Sequence, residues 1–454
     1  VAHTALGNLD AAEASATSAM ANGVPPGRFA GGTLTGLEKL RPKLGLGSGS
    51  LVHGPVLGNL TGTSIDIWTR TAKAAKLQVS ASESAGFASP LTSQIAGSTA
   101  ESDFTAVVTL TDLKPNTTYH YRVAVDGKTI PQTHTFKTLA PAGSPAKFRI
   151  AFGGGAGYVP VNERAFDTIA AQKPDALFLL GDNVYSDDPG SPAMQHYCYY
   201  RRQSRPEFSR LAATVPTFSI WDDHDFGTND CSGGPDPDLP AWKRPVWNVF
   251  QNNWPNPPYA STDANPGCYY DFLLGDVHFI MLDGRYHRDL KGTRNNGTPT
   301  MLGTVQRAWL LETIKNSTAG LRVLCSPVPW VYGAKGNSRD TWNGFKEERS
   351  QIFDFLTENK IPGVLLMSAD RHRSDLWKID RPGTYPLYEF NSSRLTNQHV
   401  HPEMKSAVFS YNKKQSFGLV DFDTTLGDPT ISYSVLSIDG ETVHSHTLNA
   451  SQLR

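Results

Sequence analysis

The hydrophobic pattern of the chain changes once, near residue 140, and this change limits the folds that the sequence can adopt. Before that point, apolar and polar residues alternate with a period of two, as in 63–69 and 118–125, and turn residues separate the runs. This pattern predicts an all-β sandwich. After a Pro/Gly/Ser-rich linker at 139–145, strand-length apolar runs alternate with amphipathic helical segments, which indicates an α/β domain.

The change of pattern divides the chain into three segments. We predict an N-terminal extension over 1–48, a β-sandwich of the Ig/fibronectin-III-like type over 49–139, and an α/β domain over 146–454. Segment 113–123 resembles the tyrosine-corner segment of fibronectin type III modules, which supports the assignment of the sandwich.

Composition excludes several classes of function. The 454 residues carry 42 Lys and Arg against 43 Asp and Glu, so there is no excess positive charge to neutralise a nucleic acid or an anionic membrane. No apolar run approaches the ~20 residues that a transmembrane helix needs. The four cysteines are too few for a disulfide framework, and one disulfide among Cys198, Cys231 and Cys268 is left open.

The first group of candidate functional residues follows the strand predicted over 175–180. This strand ends at Gly181, and Asp182 and Tyr185 come directly after it. Open α/β sheets bind their ligands at such strand ends. A carboxylate can bridge two metal ions, and a phenolate suits a hard trivalent ion such as Fe³⁺. The alternative interpretation is an ordinary Asp/Asn turn.

The densest group of acidic residues follows the strand predicted over 216–221. Its ionisable residues are Asp222, Asp223, His224, Asp225 and Asp230. Repulsion among so many acids in a tight turn is costly unless cations or arginines compensate it. We therefore favour metal binding over a solvated acidic loop for this segment.

A third strand, predicted over 363–368, precedes Asp370 and His372. Residues two apart in an extended chain face the same way, so Asp370 and His372 can reach neighbouring metal ions. Arg371 and Arg373 then point elsewhere, one of them toward a phosphate. Because three strand ends carry Asp-x-x-Tyr, Asp-His-Asp and Asp-x-His, the sequence predicts a dinuclear metal centre at their common edge.

These motifs resemble those of the alkaline phosphatase D (PhoD-like) branch of the calcineurin-like metallophosphoesterases. The resemblance covers roughly residues 50 to 440, and the matching segments are GDNVY at 181–185, WDDHDFG at 221–227, MLGTVQ at 301–306 with Trp309-Leu310, and SADRH at 368–372. It implies a four-layer α/β/β/α metallophosphoesterase sandwich preceded by the Ig-like domain. It also implies a secreted or periplasmic location and a phosphate ester substrate.

The resemblance implies the metal ligands and the metals. Asp182 would bridge both ions, Tyr185 would bind the ferric-type ion, and Asp223 would bind the second ion. Asp222 and Asp223 are interchangeable in this assignment. The metals would be Fe³⁺ with Ca²⁺ or another divalent ion such as Zn²⁺ or Mn²⁺, and the remaining ligands would be Asp370 and His372.

The chemistry expected of such a site is hydrolysis of a phosphoric ester. A water held between two metal ions is deprotonated near neutral pH and attacks phosphorus in line, so no protein nucleophile is needed. His224 would face the transferring phosphoryl group and stabilise its charge. The resemblance makes Asn183 and Arg371 further catalytic residues.

Substrate recognition is assigned to one basic and aromatic segment, 199–205. Arg201 and Arg202 are its candidate phosphate ligands, and the alternative is a helix whose arginines pair with nearby acids. Asp283 and Arg285, at the end of another predicted strand, are interpreted as an ion pair. The sequence leaves open the oligomeric state and the choice between a phosphodiesterase and a nonspecific phosphomonoesterase.

One position departs from the family pattern. Similar proteins carry a metal-binding cysteine in a Phe-Gly-Ser-Cys segment, where this chain has Gly155 after Phe152, Gly153 and Gly154. The iron-type site would then use water or a downstream group such as Asn162, or take another metal, and the glycine run is interpreted as a backbone loop close to the metals. The alternative function is a binding module whose metal centre has decayed, although retention of the other ligands argues against it.

Overall fold

The first part of the described chain is all β. The computed structural model describes residues 51–454, so the predicted extension over 1–48 lies outside the described residues. The strands here are β1 (Leu51–Gly58), β2 (Ile65–Thr71), β3 (Ala75–Ser82), β4 (Leu91–Thr92), β5 (Ala96–Ser98), β6 (Thr105–Leu110), β7 (Thr118–Val125), β8 (Lys128–Thr129) and β9 (His134–Lys137). β1, β2 and β6 form one antiparallel sheet, and the others form a second around β3 and β7.

Side chains along β7 alternate as the period-two pattern predicts. Tyr119, Tyr121, Val123 and Val125 are buried, and the residues between them are not. The Lys114 N–H donates a hydrogen bond to the Tyr119 hydroxyl at 2.9 Å, which ties the start of β7 to the preceding turn. The alternation agrees with the predicted all-β character, and the Ig/fibronectin-III-like type stays a prediction.

The rest of the described chain combines strands with helices, as predicted. The strands are β10 (Lys147–Gly153), β11 (Ala176–Leu180), β12 (Thr217–Ile220), β13 (Tyr270–Leu274), β14 (Val277–Met281), β15 (Leu321–Cys325), β16 (Val364–Ser368), β17 (Ser374–Ile379), β18 (Leu387–Ser392), β19 (Phe409–Tyr411), β20 (Ser416–Asp423), β21 (Thr430–Ser437) and β22 (Thr442–Asn449). The helices are α1 (Arg164–Ala171), α2 (Pro192–Gln203), α3 (Pro206–Ala212), α4 (Asp223–Phe226), α5 (Lys243–Gln251), α6 (Gly303–Asn316) and α7 (Lys346–Glu358). Among residues 51–454, no helix has both the length and the apolar character needed to cross a membrane.

Two sheets organise this α/β part. One has the strand order β12-β11-β10-β20-β21-β22, and the other has the order β13-β14-β15-β16-β18-β17-β19. β10, β11 and β12 run parallel to one another, and so do β14, β15 and β16. Parallel neighbours end at the same edge of a sheet, so the loops after β11 and β12 start side by side.

Aromatic rings fill the space between the two sheets. Phe178 in β11 contacts Phe279 in β14 edge-on, with ring centroids 4.9 Å apart. Phe218 in β12 stacks on Phe272 in β13 with centroids 4.1 Å apart. Because each pair joins one sheet to the other, the sheets pack face to face around a shared apolar core.

The all-β part contacts the α/β part through polar groups. The Trp68 indole donates a hydrogen bond to the Asn252 carbonyl at 2.7 Å, and the Tyr121 hydroxyl donates to the Ala213 carbonyl at 2.7 Å. The Tyr200 hydroxyl in α2 donates to the Asp103 carboxylate. These bonds fix the all-β part against α2 and the ends of α3 and α5.

The disulfide that the sequence left open is absent from the structure. The Cys198 thiol lies 3.5 Å from the Tyr185 carbonyl, and the Cys231 thiol lies 3.7 Å from the Asp223 carbonyl. All four cysteines lie in the described part of the chain, and all have free thiols: Cys198, Cys231, Cys268 and Cys325. Each thiol is packed in its own local environment, so no pair forms.

Glu348 in α7 is a buried carboxyl group that makes stability depend on pH. It accepts hydrogen bonds from the Thr300 hydroxyl and the Met301 N–H, yet burial raises its pKa from 4.5 to about 7. Between those pH values the folded state holds a proton that the unfolded state has released. The contribution of Glu348 to stability therefore falls as pH rises through this window.

We expect Glu348→Gln to remove this dependence. Relative to the wild type, the free energy of unfolding of the variant should rise by up to about 3 kcal/mol between pH 4.5 and pH 8. Urea denaturation at both pH values measures this difference. The exposed neighbour Glu347 provides the control, since Glu347→Gln should leave the pH dependence unchanged. A Glu348→Gln variant with the wild-type pH profile would contradict the prediction.

Candidate metal centre

Three loops at the carboxyl ends of strands come together in this part of the molecule. Gly181 and Asp182 follow β11 and have positive φ angles of 103° and 54°. A Cβ at Gly181 would lie 2.5 Å from the Asp222 Cβ after β12, so only glycine lets these two loops approach so closely. Asp370 and His372, after β16, also have positive φ angles, of 66° and 46°. Backbone conformations of this kind are concentrated at functional sites.

Asp182, Asp223 and His224 form the middle of the site. Each offers one ligand-type atom, and these atoms lie within 4.8 Å of one another. The Tyr185 hydroxyl donates a hydrogen bond to Asp182 Oδ2 at 2.9 Å, and its ring stacks on the His224 imidazole with centroids 4.3 Å apart. The fold thus assembles two carboxylates, a phenol and an imidazole that the sequence analysis had singled out.

Three buried atoms of the site have no hydrogen-bond partner among the described residues. They are Asp182 Oδ1, Asp223 Oδ1 and His372 Nδ1. A buried polar atom without a partner is costly, and a metal ion would satisfy oxygen and nitrogen atoms of these types. The donor set therefore fits the metal ions that the sequence motifs imply.

Burial makes the acids of this centre hard to ionise without a cation. It raises the pKa of Asp182 well above its ordinary value, and neighbouring carboxylates raise this pKa further. Burial also raises the pKa of Tyr185, and the negative charge of Asp182 raises it further. A bound metal ion would reverse both shifts, because it favours the carboxylate and the phenolate.

The surroundings of His224 favour its protonated form. Burial alone would lower its pKa, but the charge of Asp182 and a hydrogen bond between its Nδ1 and Asp187 raise the pKa of His224 to about 10. A positively charged imidazole beside the centre can stabilise negative charge that develops on a ligand.

Arg285 neutralises the acids behind the centre. Its fully buried guanidinium forms ion pairs with Asp222 and, at 2.6 Å, with Asp340. Asp223 lies 3.7 Å away; burial alone would raise its pKa, but Arg285, His224 and a hydrogen bond from the Asp230 N–H together lower it. The predicted ion pair between Asp283 and Arg285 is wrong. Asp283 accepts the backbone N–H of Arg285 at 2.8 Å, while the guanidinium reaches across to the other acids.

A cavity of about 420 Å³ opens over the centre. The predicted site residues that line it are Tyr185, Asp223, His224, Asp370, Arg371 and His372. Asp230, from the predicted acidic group, also lines it, and the lining residues that sequence analysis missed are Asn229, Lys335, Asn397, His399 and His401. Asp222 forms an ion pair with Arg285 and does not line the cavity. Of the two neighbouring acids Asp222 and Asp223, it is therefore Asp223 that faces the cavity.

Some of the missed residues could have been found from the sequence, and others could not. Lys335 has no recognisable motif around it, and its ammonium group lies 2.7 Å from a carboxylate oxygen of Asp230 and 2.7 Å from one of Asp340. His399 and His401 are two residues apart, a spacing that places both side chains on one side of an extended segment and that identifies them in retrospect.

Two amides that the sequence analysis named lie outside the cavity. Asn183 Nδ2 donates to the Ile220 carbonyl at 2.9 Å and so links the ends of β11 and β12. Asn162 Nδ2 donates to the Thr396 carbonyl at 2.9 Å. Neither side chain lines the cavity, because each is used in joining neighbouring segments of backbone.

Arg201 and Arg202 also lie outside the cavity walls. Arg202 is buried and forms an ion pair with Glu163, and it also donates to the Ala156 carbonyl. The Arg201 guanidinium lies over the Tyr158 ring at 4.0 Å from its centroid. Arg202 thus has the acidic partner that the alternative interpretation expects, and binding of a phosphate by Arg201 and Arg202 stays a prediction.

Gly155 stands where the resemblance of the motifs implies a cysteine. It has a φ angle of 68°, and a Cβ there would lie 3.0 Å from the Arg394 nitrogen and 3.1 Å from Ser393 Oγ. The Gly155 N–H donates to the Gly181 carbonyl at 3.3 Å, so the glycine loop approaches the centre through its backbone, as predicted. In this chain a side chain at this position would be both crowded and strained.

Two solved structures share this fold. A structure of PhoD matches with a TM-score of 0.72 at 18% sequence identity, covering 87% of this chain and 88% of that chain. Purple acid phosphatase PPD1 from yellow lupin (Lupinus luteus) seeds matches with a TM-score of 0.61 at 13% identity, covering 87% of this chain and 74% of its own. The fold is that of the metallophosphoesterases.

The family follows from comparison of the sequence. A model described as PhoD-like phosphatase matches residues 150–425, which is more than half of the chain. The chain belongs to the PhoD-like phosphatase family, as the motifs predicted. A second model, a domain of unknown function (DUF7800), matches residues 48–141.

Curated relatives are similar over part of their length. Alkaline phosphatase D of Bacillus subtilis (strain 168) is 24% identical over 303 residues, which are 58% of this chain and 52% of that protein. Purple acid phosphatase 15 of Arabidopsis thaliana is 25% identical over 220 residues, 45% of this chain and 40% of that protein. The chain thus spans about half the length of these relatives, or less.

Proposed function

We propose that this chain is an exported, metal-dependent hydrolase of phosphoric esters with a dinuclear centre, containing Fe³⁺ with a divalent ion. The observation that carries the proposal is the convergence of the Asp182 and Asp223 carboxylates, whose ligand atoms lie within 4.8 Å of each other and whose buried oxygens include two without a partner among the described residues. Membership of a phosphatase family supports the reaction class. Export is inferred from the resemblance of the motifs alone.

The metal ligands are proposed from the resemblance of the motifs, supported by the position of Tyr185, Asp223, Asp370 and His372 on the cavity wall. Asp182 would bridge the two ions, Tyr185 would bind one of them, and Asp223, Asp370 and His372 would bind the other. When bound, the ions supply a nucleophile from water near neutral pH and neutralise charge on the phosphoryl oxygens. The catalytic role predicted for Asn183 is left out of the proposal, because its amide donates a hydrogen bond to the Ile220 carbonyl.

Positively charged side chains of the cavity would bind and orient the substrate. Protonated His224, oriented by Asp187, faces the cavity and would donate a hydrogen bond to a phosphoryl oxygen. Arg371, which pairs with Asp370 at 3.2 Å, and Lys335 add two further cations to the walls. This charge suits a phosphate monoester or diester.

The finer domain description is also part of the proposal. We assign 49–139 to an Ig/fibronectin-III-like domain and 146–454 to a four-layer α/β/β/α catalytic domain. The Lys114–Tyr119 hydrogen bond at 2.9 Å supports the first assignment, and the two facing sheets support the second. The separate family match over 48–141 supports the boundary between them.

Removal of metal tests the proposed function directly. We expect the purified protein to contain about two metal ions per chain, and chelation to abolish cleavage of p-nitrophenyl phosphate and bis(p-nitrophenyl) phosphate. Readdition of Fe, Ca, Zn and Mn, each alone and in pairs, should restore cleavage. The ratio of the two rates then separates a phosphomonoesterase from a phosphodiesterase. Metal-free protein that stays inert after every readdition would contradict the proposal and favour a binding module with a decayed centre.

A further inference from the structure

Lys335 is a cation of the cavity wall that two acids hold in place. It lies in the segment between β15 and α7, and its side chain is 19% exposed. Its ammonium group lies 2.7 Å from Asp230 Oδ1 and 2.7 Å from Asp340 Oδ2. A lysine ammonium has three N–H donors, so these two bonds leave one N–H for a ligand in the cavity.

The backbone around Lys335 is also held in place. The carbonyl of the buried Ala334 accepts hydrogen bonds from Arg371 Nε at 3.3 Å and from Arg373 Nη2 at 3.1 Å. The Ser338 N–H donates to the Lys335 carbonyl at 3.1 Å. Because both the backbone and the side chain are fixed, Lys335 is positioned before any ligand binds, which reduces the entropy lost on binding.

The two acids that hold Lys335 neutralise it only in part. The Asp340 carboxylate is shared, because it also pairs with Arg285 and Arg288, each at 2.6 Å. The Asp230 side chain is 41% exposed, so solvent screens its attraction to Lys335. The ammonium group therefore keeps positive charge for an anionic ligand.

Lys335 lies beside the proposed metal centre. Asp223, Asp230 and Asp340 each offer one oxygen, and these oxygens lie within 4.8 Å of one another. Asp223 also belongs to the middle of the site described above. The ammonium group that contacts Asp230 and Asp340 is thus a near neighbour of the centre, within reach of a phosphoryl group that lies in the same cavity.

We propose that Lys335 donates its third N–H to a terminal phosphoryl oxygen and thereby makes the chain prefer phosphate monoesters to diesters. The inference rests on the proposed function and deepens it, because it names the substrate class. Near pH 8 a monoester has three non-bridging oxygens and about two negative charges, whereas a diester has two such oxygens and one charge. A cation that adds to the charge of a metal centre therefore stabilises a bound monoester more than a bound diester.

The ratio of two rates measured on one variant tests this role. The metal-loaded wild type and Lys335→Met are assayed at pH 8 with p-nitrophenyl phosphate and bis(p-nitrophenyl) phosphate. We expect Lys335→Met to lower kcat/KM for the monoester at least ~10-fold more than for the diester, because a hydrogen bond to a charged group is lost. Partial unfolding or loss of metal lowers both rates and leaves their ratio unchanged. A ratio equal to that of the wild type would overturn the proposal.

Lys414 provides a matched control. Its ammonium group also lies between two carboxylates, 2.6 Å from Asp439 and 3.0 Å from Glu441, but it does not line the cavity. Lys414→Met should therefore keep the wild-type ratio. An equal change of the ratio in both variants would show that loss of any lysine charge has this effect, and it would also overturn the proposal.

Binding of inorganic phosphate gives a readout besides activity. In isothermal titration calorimetry at pH 8, Lys335→Met should bind phosphate at least ~10-fold more weakly than the wild type, and Lys414→Met should bind it equally well. If the wild type cleaves the esters only with metal, but Lys335→Met changes neither the ratio nor the phosphate affinity, the hydrolase stands and the role of Lys335 is wrong. If the wild type is inert with every metal, but Lys335→Met weakens phosphate binding, the phosphate contact stands and the hydrolase is wrong.

Discussion

Replacing Asp182 with asparagine is expected to lower kcat/KM for phosphate ester cleavage by at least about 10²–10³-fold, the loss that follows removal of one charge-stabilising group from other active sites. The carboxylate is buried at the middle of the site, and one of its oxygens accepts no hydrogen bond from the described residues. An amide cannot bridge two cations as a carboxylate does. The metal content of the variant should fall together with its activity.

The fold should survive this change. Asp182 has a positive φ angle of 54°, and asparagine is among the few residues that adopt this conformation readily. The amide has the same shape as the carboxylate, and its oxygen can still accept the Tyr185 hydroxyl. Asp380→Asn is the control, because the Asp380 side chain is 80% exposed in a pair with Lys378 and should leave kinetics and metal content unchanged. An Asp182→Asn variant with wild-type turnover would remove Asp182 from the centre.

Replacing Arg285 with methionine should cost about 3–5 kcal/mol of unfolding free energy, because it leaves buried carboxylates without their cation. The Arg285 side chain is fully buried between Asp222 and Asp340, with Asp223 close by. No solvent can screen the acids that remain. Urea denaturation at neutral pH, followed by tryptophan fluorescence, measures the loss.

An exposed arginine provides the comparison for this prediction. Arg210 pairs with Asp167 at 2.8 Å, but its side chain is 59% exposed, so Arg210→Met should cost no more than about 1 kcal/mol. Equal effects of the two substitutions would show that burial of Arg285 does not determine its contribution. Because Arg285 also lowers the pKa of Asp223, its loss should weaken metal binding as well.

The sequence predicted the middle of the site because the relevant information is local. Asp182 follows β11 directly and Asp223 follows β12, and parallel neighbouring strands bring such residues to one edge. Tyr185 and His224 could be named for the same reason. The domain order was also predictable, since the change of hydrophobic period at the linker reports the change from an all-β part to an α/β part.

The sequence could not show which side chains face the cavity. Asp222 and Asp223 are adjacent, and only the position of Arg285, 63 residues away from Asp222, decides which of them is already paired. Arg202 looked available for a phosphate until the fold placed Glu163 beside it. Lys335 enters the cavity from a loop without any motif. Contacts between distant segments determine all of these outcomes, and no local pattern encodes them.

The hydrogen bonds that Trp68 and Tyr121 donate to the carbonyls of Asn252 and Ala213 have a consequence for how this molecule comes apart. Separating the two parts at the linker would break both hydrogen bonds and disturb the surroundings of the Trp68 and Tyr121 rings, which are buried in the structure. The linker therefore marks a change of sequence pattern between two parts that contact each other directly. A ligand that tightens the strand ends would, by linkage, also protect the all-β part from proteolysis.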